Sequence, residues 1–287
     1  YVKFDKEHQN LKYYNNIEIY CLYTMSRKLN TLIELKRKKG EKLLSVFITA
    51  GFPEKSDTVD IILALDQTGV DFIELGVPFS DPIADGPIIQ AASQRALNNG
   101  VTLEDVFDFV QIVRKHTEIP ILLMGYLNPV FHFGVEKALE KSKQVGVDGW
   151  IIPDWSLEES FNYLPKLSQH DIDLIHLIAP NTSLERIRRV DQLSTSFIYC
   201  VAYTGVTGKD NRPTPQTLVF FKEIRQLLQH PLMIGFGIKN HQDYLIYTAF
   251  SEGIIIGSAF IKMIEKTPRE NFRTQIQKFI RNIRCEG

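Results

Sequence analysis

The chain has 287 residues, 44% of them hydrophobic and 23% charged, which is enough to bury a full core in one large α/β barrel or in two smaller domains. Lys and Arg number 33 against 34 Asp and Glu, a formal net charge of -1, so no global field gathers nucleic acid or an anionic membrane surface. Cys21, Cys200 and Cys285 show no metal-type spacing, and the seven His are scattered without a paired motif. This argues against a disulfide framework and predicts no metal site and a reducing cytoplasm.

No apolar run approaches the ~20 residues that span a bilayer. Residues 1–24 mix Tyr1, Phe4, Tyr13, Tyr14, Tyr20 and Tyr23 with Asn, Lys and Glu, with neither helical nor alternating periodicity. They also lack the apolar core and cleavage site of a signal peptide. The compact unit is therefore expected to begin near Met25, with 1–24 as an extension outside the fold and 25–287 as one domain.

From Met25 onward, Leu29, Leu32, Ile33 and Leu35 followed by Lys36-Arg37-Lys38-Lys39-Gly40 predict a helix with a basic last turn. That basic run reads as a solvated helix end, with a nucleic-acid patch as the weaker alternative because no aromatic platform accompanies it. A repeating cycle then begins. Apolar strands are predicted at 43–49, 71–76, 119–124, 149–152, 173–179, 197–201, 231–236 and 254–257. Helices are predicted from Ser56 to Gly69 and at 88–98, 103–117, 135–145, 157–168, 183–193, 215–229, 241–251 and 272–283. Near-continuous apolar strands alternating with helices indicate a parallel sheet buried on both faces. Eight such units predict a (β/α)8 TIM barrel with an extra N-terminal helix. A doubly wound open sheet should carry a GxGxxG turn after its first strand, and Thr49-Ala50-Gly51-Phe52-Pro53 has no such pattern.

In a barrel of this kind the chemistry sits at the C-terminal ends of the strands. Glu74 lies there on the second strand, between Ile73 and Leu75, and none of the predicted strands contains Lys or Arg to pair with it. A desolvated carboxylate without a cation is a usable acid or base near neutrality. Asp81 and Asp85 follow in a loop stiffened by Pro78, Pro82 and Pro87. Asp85 is equally readable as a functional acid or as a cap for the helix 88–98. For Asp81 a cap or surface contact is favoured.

Three glycine clusters follow the last strands: Gly205-Val206-Thr207-Gly208, Gly235-Phe236-Gly237 and Gly257-Ser258. Free backbone N–H groups at these positions suit a phosphate, as they do in barrels that bind one with the loops after strands seven and eight. The polar stretch 203–216 is long enough to act as a lid. Phe47, Met124 and Tyr126 lie near strand ends and default to packing, yet together they can wall a flat aromatic substrate. Tyr199 on strand six is a core residue or a site residue whose hydroxyl needs a partner. Schiff-base chemistry lacks a strand lysine, since Lys209 and Lys239 fall in loops, and metal-dependent aldol chemistry lacks a histidine cluster. Carboxylate acid–base chemistry on a phosphorylated substrate remains.

The run Ile73-Glu74-Leu75-Gly76-Val77-Pro78-Phe79-Ser80-Asp81-Pro82-Ile83-Ala84-Asp85-Gly86 resembles the signature of the tryptophan synthase alpha subunit. The likeness extends to Gly205-Val206-Thr207-Gly208, Gly235-Phe236-Gly237-Ile238 and Gly257-Ser258-Ala259, and covers about residues 25–285. It implies retro-aldol cleavage of indole-3-glycerol phosphate to indole and glyceraldehyde 3-phosphate, with no cofactor in this chain. By the same resemblance Glu74 is the principal acid–base, Asp85 holds the indole N–H, and Tyr199 supports the site. Phe47, Met124 and Tyr126 would line the indole pocket; Gly208, Phe236, Gly237, Gly257 and Ser258 would cradle the phosphate; Thr207 would belong to the lid. The resemblance further implies a beta subunit carrying pyridoxal phosphate, assembled as an alpha2beta2 heterotetramer. Ala202-Tyr203-Thr204 departs from the serine or arginine that many relatives carry there. Two readings compete with the lyase: a non-catalytic subunit that only activates a beta partner, and another phosphate-binding barrel such as an isomerase.

Overall fold

The computed structural model describes residues 28–201, 213–235 and 237–285. Eight parallel strands close into a barrel in sequence order: β1 (Leu43–Thr49), β2 (Phe72–Gly76), β3 (Ile121–Met124), β4 (Gly149–Ile151), β5 (Asp173–Ile178), β6 (Ile198–Val201), β7 (Leu232–Gly235) and β8 (Gly253–Ile256). Closure is made by β1 against β8, with Leu44 opposite Ile254. Helix α1 (Lys28–Lys38) precedes the barrel. The outer layer follows as α2 (Asp57–Asp66), α3 (Pro87–Asn98), α4 (Leu103–Val113), α5 (Leu127–Phe133), α6 (Val135–Val145), α7 (Leu157–Phe161), α8 (Leu164–Gln169), α9 (Leu184–Leu193), α10 (Pro215–Leu227), α11 (His241–Thr248), α12 (Ser258–Glu265) and α13 (Phe272–Arg284). No described helix is long and apolar enough to cross a membrane.

Period-two alternation divides each strand between two cores. Val46, Ile48, Ile73, Leu75, Ile254 and Ile256 face the helices in the larger core. Leu43, Phe72, Leu122, Ile151, Ile175, Phe197, Met233 and Ile255 fill the barrel interior. Leu29 and Ile33 of α1 join that interior cluster, so the extra helix plugs the N-terminal end of the barrel. Its basic last turn is not wholly solvated: Lys36 pairs with Glu41 at 2.9 Å and with Asp71 at 3.0 Å.

Three predicted elements differ from those observed. The helix expected over 157–168 is broken into α7 and α8, because Pro165 in the first turn of α8 has no N–H to continue the ladder. Helix α5 lies between the predicted strand 119–124 and helix 135–145, where no element was expected, with Pro129 tolerated in its first turn. Helix α12 follows β8 directly and was not predicted as an element.

At the N-terminal end a clasp recurs three times. An acid just before an even strand accepts from the first N–H of the odd strand beside it, or from the next one, and pairs with an arginine. Asp71 accepts from Leu44 N at 2.8 Å and from Arg284 at 2.9 Å. Asp148 accepts from Ile121 N at 2.8 Å and from Arg114 at 2.8 Å. Glu252 accepts from Leu232 N at 2.7 Å and pairs with Arg225 at 2.6 Å.

Candidate active site

Glu74 occupies an inward position of β2, opposite Phe47 in the β1 register and Leu122 in the β3 register. Its side chain is fully buried, and neither carboxylate oxygen has a hydrogen-bond partner among the described residues. None of the eight strands contributes a Lys or Arg. Loss of water therefore pushes the carboxyl up to about 8, an effect only moderated by the nearby Ser45 hydroxyl. Ser45 Oγ lies close enough to act on the carboxylate but makes no hydrogen bond of ordinary geometry in this rotamer.

Asp85 does not cap the following helix. The N-cap of α3 is Gly86, with no side-chain cap bond. Instead Tyr126 Oη donates to Asp85 Oδ2 at 2.9 Å, while Ala84 N donates to Tyr126 Oη at 3.0 Å. Burial raises the Asp85 carboxyl to about 6 against the opposing hydrogen bond from Tyr126. The Tyr126 phenol is itself pushed up by burial and by the adjacent Asp85 charge, so it stays a donor. Gln90 of α3 donates to the Asp85 carbonyl at 2.9 Å, and Ser93 grips both the N–H and the C=O of Phe79, at 2.8 and 2.9 Å. The Phe79 ring stacks on Tyr126 with centroids 5.2 Å apart. These contacts fix the acid-bearing loop from α3 and from the end of β3. Asp81 is exposed, and its carboxylate accepts only from Ser80 among the described residues.

Phe47, Thr49, Gly76, Val77, Pro82, Asp85, Ile89, Ser93, Met124 and Tyr126 line a cleft with about 270 Å³ of open space. Phe47, Met124 and Tyr126 thus meet as predicted, and Glu74 lies one inward step below Gly76. Thr49, Ile89 and Ser93 belong to the same wall without having been singled out in the sequence. Thr49 was legible from parity, being two residues beyond Phe47 on the same face; Ile89 and Ser93 depend on how α3 packs. Close packing sharpens the floor, since a Cβ on Gly76 would come within 2.5 Å of Phe47.

Tyr199 is buried in the interior on β6, and its hydroxyl passes over Gly235, where a Cβ would lie 2.2 Å from Oη. Its pKa is raised well above the ordinary phenol value by burial, then by the Glu74 and Asp85 charges. Beyond β7 and β8, Gly237 has φ +81°, a backbone that favours glycine, and Gly257 is the N-cap of α12 with Ser258 as its first residue. A Cβ on Gly257 would sit 3.4 Å from Ile89 and 3.5 Å from Phe47, so the α12 N-terminus opens beside the cleft wall. Thr207, Gly208, Phe236, Tyr203 and Lys209 lie outside the described residues, as do residues 1–24.

Near pH 7 this arrangement offers a mostly protonated Glu74 below the cleft and a mostly ionised Asp85 in its wall, two acids driven apart in role by environment. Fold and site together define a (β/α)8 barrel with a carboxylate-bearing cleft at the C-terminal ends of its strands. Comparison with known proteins narrows the class. A family model described as tryptophan synthase alpha chain matches residues 33–286, and the chain belongs to that family. The tryptophan synthase alpha chain of Christiangramia forsetii is 41% identical over 255 residues, covering 88% of this chain and 98% of that one. That of Caldanaerobacter subterraneus subsp. tengcongensis is 43% identical over 249 residues, 86% of this chain and 95% of its own. Among solved structures, tryptophan synthase subunit alpha from Legionella pneumophila superposes with a TM-score of 0.81 at 31% identity, covering 91% of this chain and 99% of that one. A chain of the tryptophan synthase complex from Pyrococcus furiosus superposes with a TM-score of 0.77 at 32% identity, covering 85% and 98%. The chain accordingly takes an alpha-chain, lyase role in tryptophan biosynthesis.

Proposed function

We propose that the chain cleaves indole-3-glycerol phosphate to indole and glyceraldehyde 3-phosphate, with Glu74 carrying the proton. The single observation that carries this reading is Glu74, a fully buried carboxyl without a cation and raised to about 8, beneath a cleft walled by aromatic and apolar side chains. The reaction breaks the bond between indole C3 and the adjacent glycerol carbon. A proton arrives at C3, the hydroxyl on the departing carbon loses its own, and that carbon leaves as the aldehyde. Glu74 delivers the first proton and accepts the second, so its protonation state is restored at each turnover. Asp85, held by Tyr126, accepts the indole N–H and stabilises the positive charge of the C3-protonated ring. Phe47, Met124 and Tyr126 flank the ring, and Tyr199 packs beside the two acids.

Backbone N–H groups at Gly237, Gly257 and Ser258 receive the phosphate, assisted by the N-terminus of α12. The family resemblance assigns Gly208 and Phe236 to the same phosphate cradle and Thr207 to a lid, all three outside the described residues. In this reading the chain supplies acids and amides and no cofactor of its own. The product indole passes to a beta subunit that carries pyridoxal phosphate, within an alpha2beta2 assembly. Tryptophan synthase complexes of Pyrococcus furiosus and M. tuberculosis among the similar structures support such a partner.

The test is indole release from indole-3-glycerol phosphate by the purified chain, with and without a beta subunit. Release that depends on Glu74 supports the assignment. A chain that forms no indole yet stimulates its partner would replace it with a non-catalytic activating role.

A further inference from the structure

The barrel interior below Glu74 is packed with Leu43, Phe72, Leu122, Ile151, Ile175, Phe197, Met233 and Ile255, all buried. One hydroxyl interrupts this plug close to the carboxylate. Ser45 lies on β1, on the same inward face as Phe47 and one inward step deeper, with its Cα opposite Phe72 in the β2 register. It is fully buried, and its Oγ has no hydrogen-bond partner among the described residues. Both oxygens of Glu74 share that condition.

Orphaned polar groups in an apolar interior are costly, and two of them side by side are explained most simply as partners in a second rotamer. A hydroxyl turns about one bond to donate, whereas a carboxylate only accepts when ionised. Two further hydroxyls share this interior among the described residues: Thr49, also unpartnered, lies at the cleft wall on the far side of Phe47, and Tyr199 reaches over Gly235 from β6; Ser45 is the hydroxyl on the deeper side, where β2, β3 and β8 present Phe72, Leu122 and Ile255. Ser45 lies one inward step deeper than Phe47, which itself lines the cleft wall.

We propose that Ser45 is a positioning residue for Glu74, its hydroxyl donating to the ionised carboxylate and holding it at the cleft floor between proton transfers. When Glu74 is protonated the bond weakens and the acid is released toward the cleft; when Glu74 is ionised, Ser45 draws it back. The mechanistic part rests on the proton-carrying role proposed for Glu74, but the hydrogen bond itself does not.

The decisive measurement is the titration of the Glu74 carboxyl, followed by carbon-13 NMR of glutamate-labelled protein and assigned by the signal that Glu74→Gln removes. Ser45→Ala is expected to raise the midpoint by about one pH unit, a tenfold change in proton affinity. Ser45→Cys fills the space with a much weaker donor and is expected to follow the alanine variant. In steady-state assays the alkaline limb of kcat, which reports loss of the protonated Glu74, moves up by a similar amount in both variants while KM holds. A midpoint unmoved in Ser45→Ala overturns the proposal. So does a midpoint restored by cysteine, which would trace the effect to packing. Because the titration needs no substrate, a shifted midpoint in a chain that never forms indole would sustain the Ser45 contact and reject the reaction instead.

Discussion

At the bottom of the barrel Asp71, Asp148 and Glu252 each meet an arginine and a strand N–H, whereas at the mouth Glu74 and Asp85 meet neither among the described residues. The two ends are built on the same strands, only a few residues apart. Asp71 and Glu74 are separated by two positions, yet one is tied to Lys36, Arg284 and Leu44 N while the other has its oxygens unanswered among the described residues. Burial alone therefore does not distinguish a structural acid from a chemical one. Asp148 is also buried and its carboxyl is also raised by desolvation, but Arg114 and Ile121 N oppose that shift, and it sits at the N-terminal foot of β4, away from the strand ends that carry the described cleft. What separates the classes is whether the fold supplies a cation and a donor.

The sharpest way to break this contrast is Glu74→Gln. Turnover should fall by about 10²–10⁴-fold, the usual value of a positioned acid–base. Stability should move the other way. A carboxyl raised from 4.5 to about 8 makes the native state lose stability as pH rises across that window, by up to about 1.4 kcal/mol per unit, because ionisation is easier in the unfolded chain. The melting temperature of Glu74→Gln relative to the unaltered chain should thus climb from pH 5 to pH 8 and be level above. A mutant that is less stable at pH 8 would count against the desolvated carboxyl.

Arg114→Met asks the converse question at the bottom. It leaves Asp148 buried without its cation and should cost about 3–5 kcal/mol in urea unfolding, with cleavage per folded molecule unchanged. Equal losses in activity would mean that the two ends are not separable. Tyr126→Phe is milder: it removes the donor to Asp85, whose carboxyl should rise further above 6, moving the acid limb of activity upward and costing about tenfold or more near neutrality. The smallest effect is expected at Asp81, where exchange for Asn should change stability by less than about 0.5 kcal/mol, read by thermal melting of the isolated chain.

The sequence carried the barrel because its strands are buried on both faces and read as unbroken apolar runs between turns. It carried Glu74 for a related reason, since an acid in a strand set without Lys or Arg has nowhere local to neutralise its charge. Asp85 was left open between cap and functional acid because the deciding partner, Tyr126, is 41 residues away and reaches it only after β2 and β3 pair. Ser45 passed unnoticed in Leu44-Ser45-Val46, where one small polar residue barely disturbs an apolar strand. Parity with Phe47 was the signal that it faced inward; its nearness to Glu74 needed the register. Helix α5 is only seven residues long with Val130 its one buried residue, too short to show a periodic apolar pattern in the sequence.

The three clasps also bear on how the chain opens. Each joins an odd strand to the even strand that follows it, through Leu44, Ile121 and Leu232, so the barrel is fastened at its base as pairs β1–β2, β3–β4 and β7–β8. At the base of β5 and β6, Thr195 Oγ1 donates to Asp173 at 2.8 Å. The base of the barrel is therefore held shut pair by pair, and hydrogen exchange should find the amides of Leu44, Ile121 and Leu232, each bound by an acid of the neighbouring strand's foot, among the slow ones.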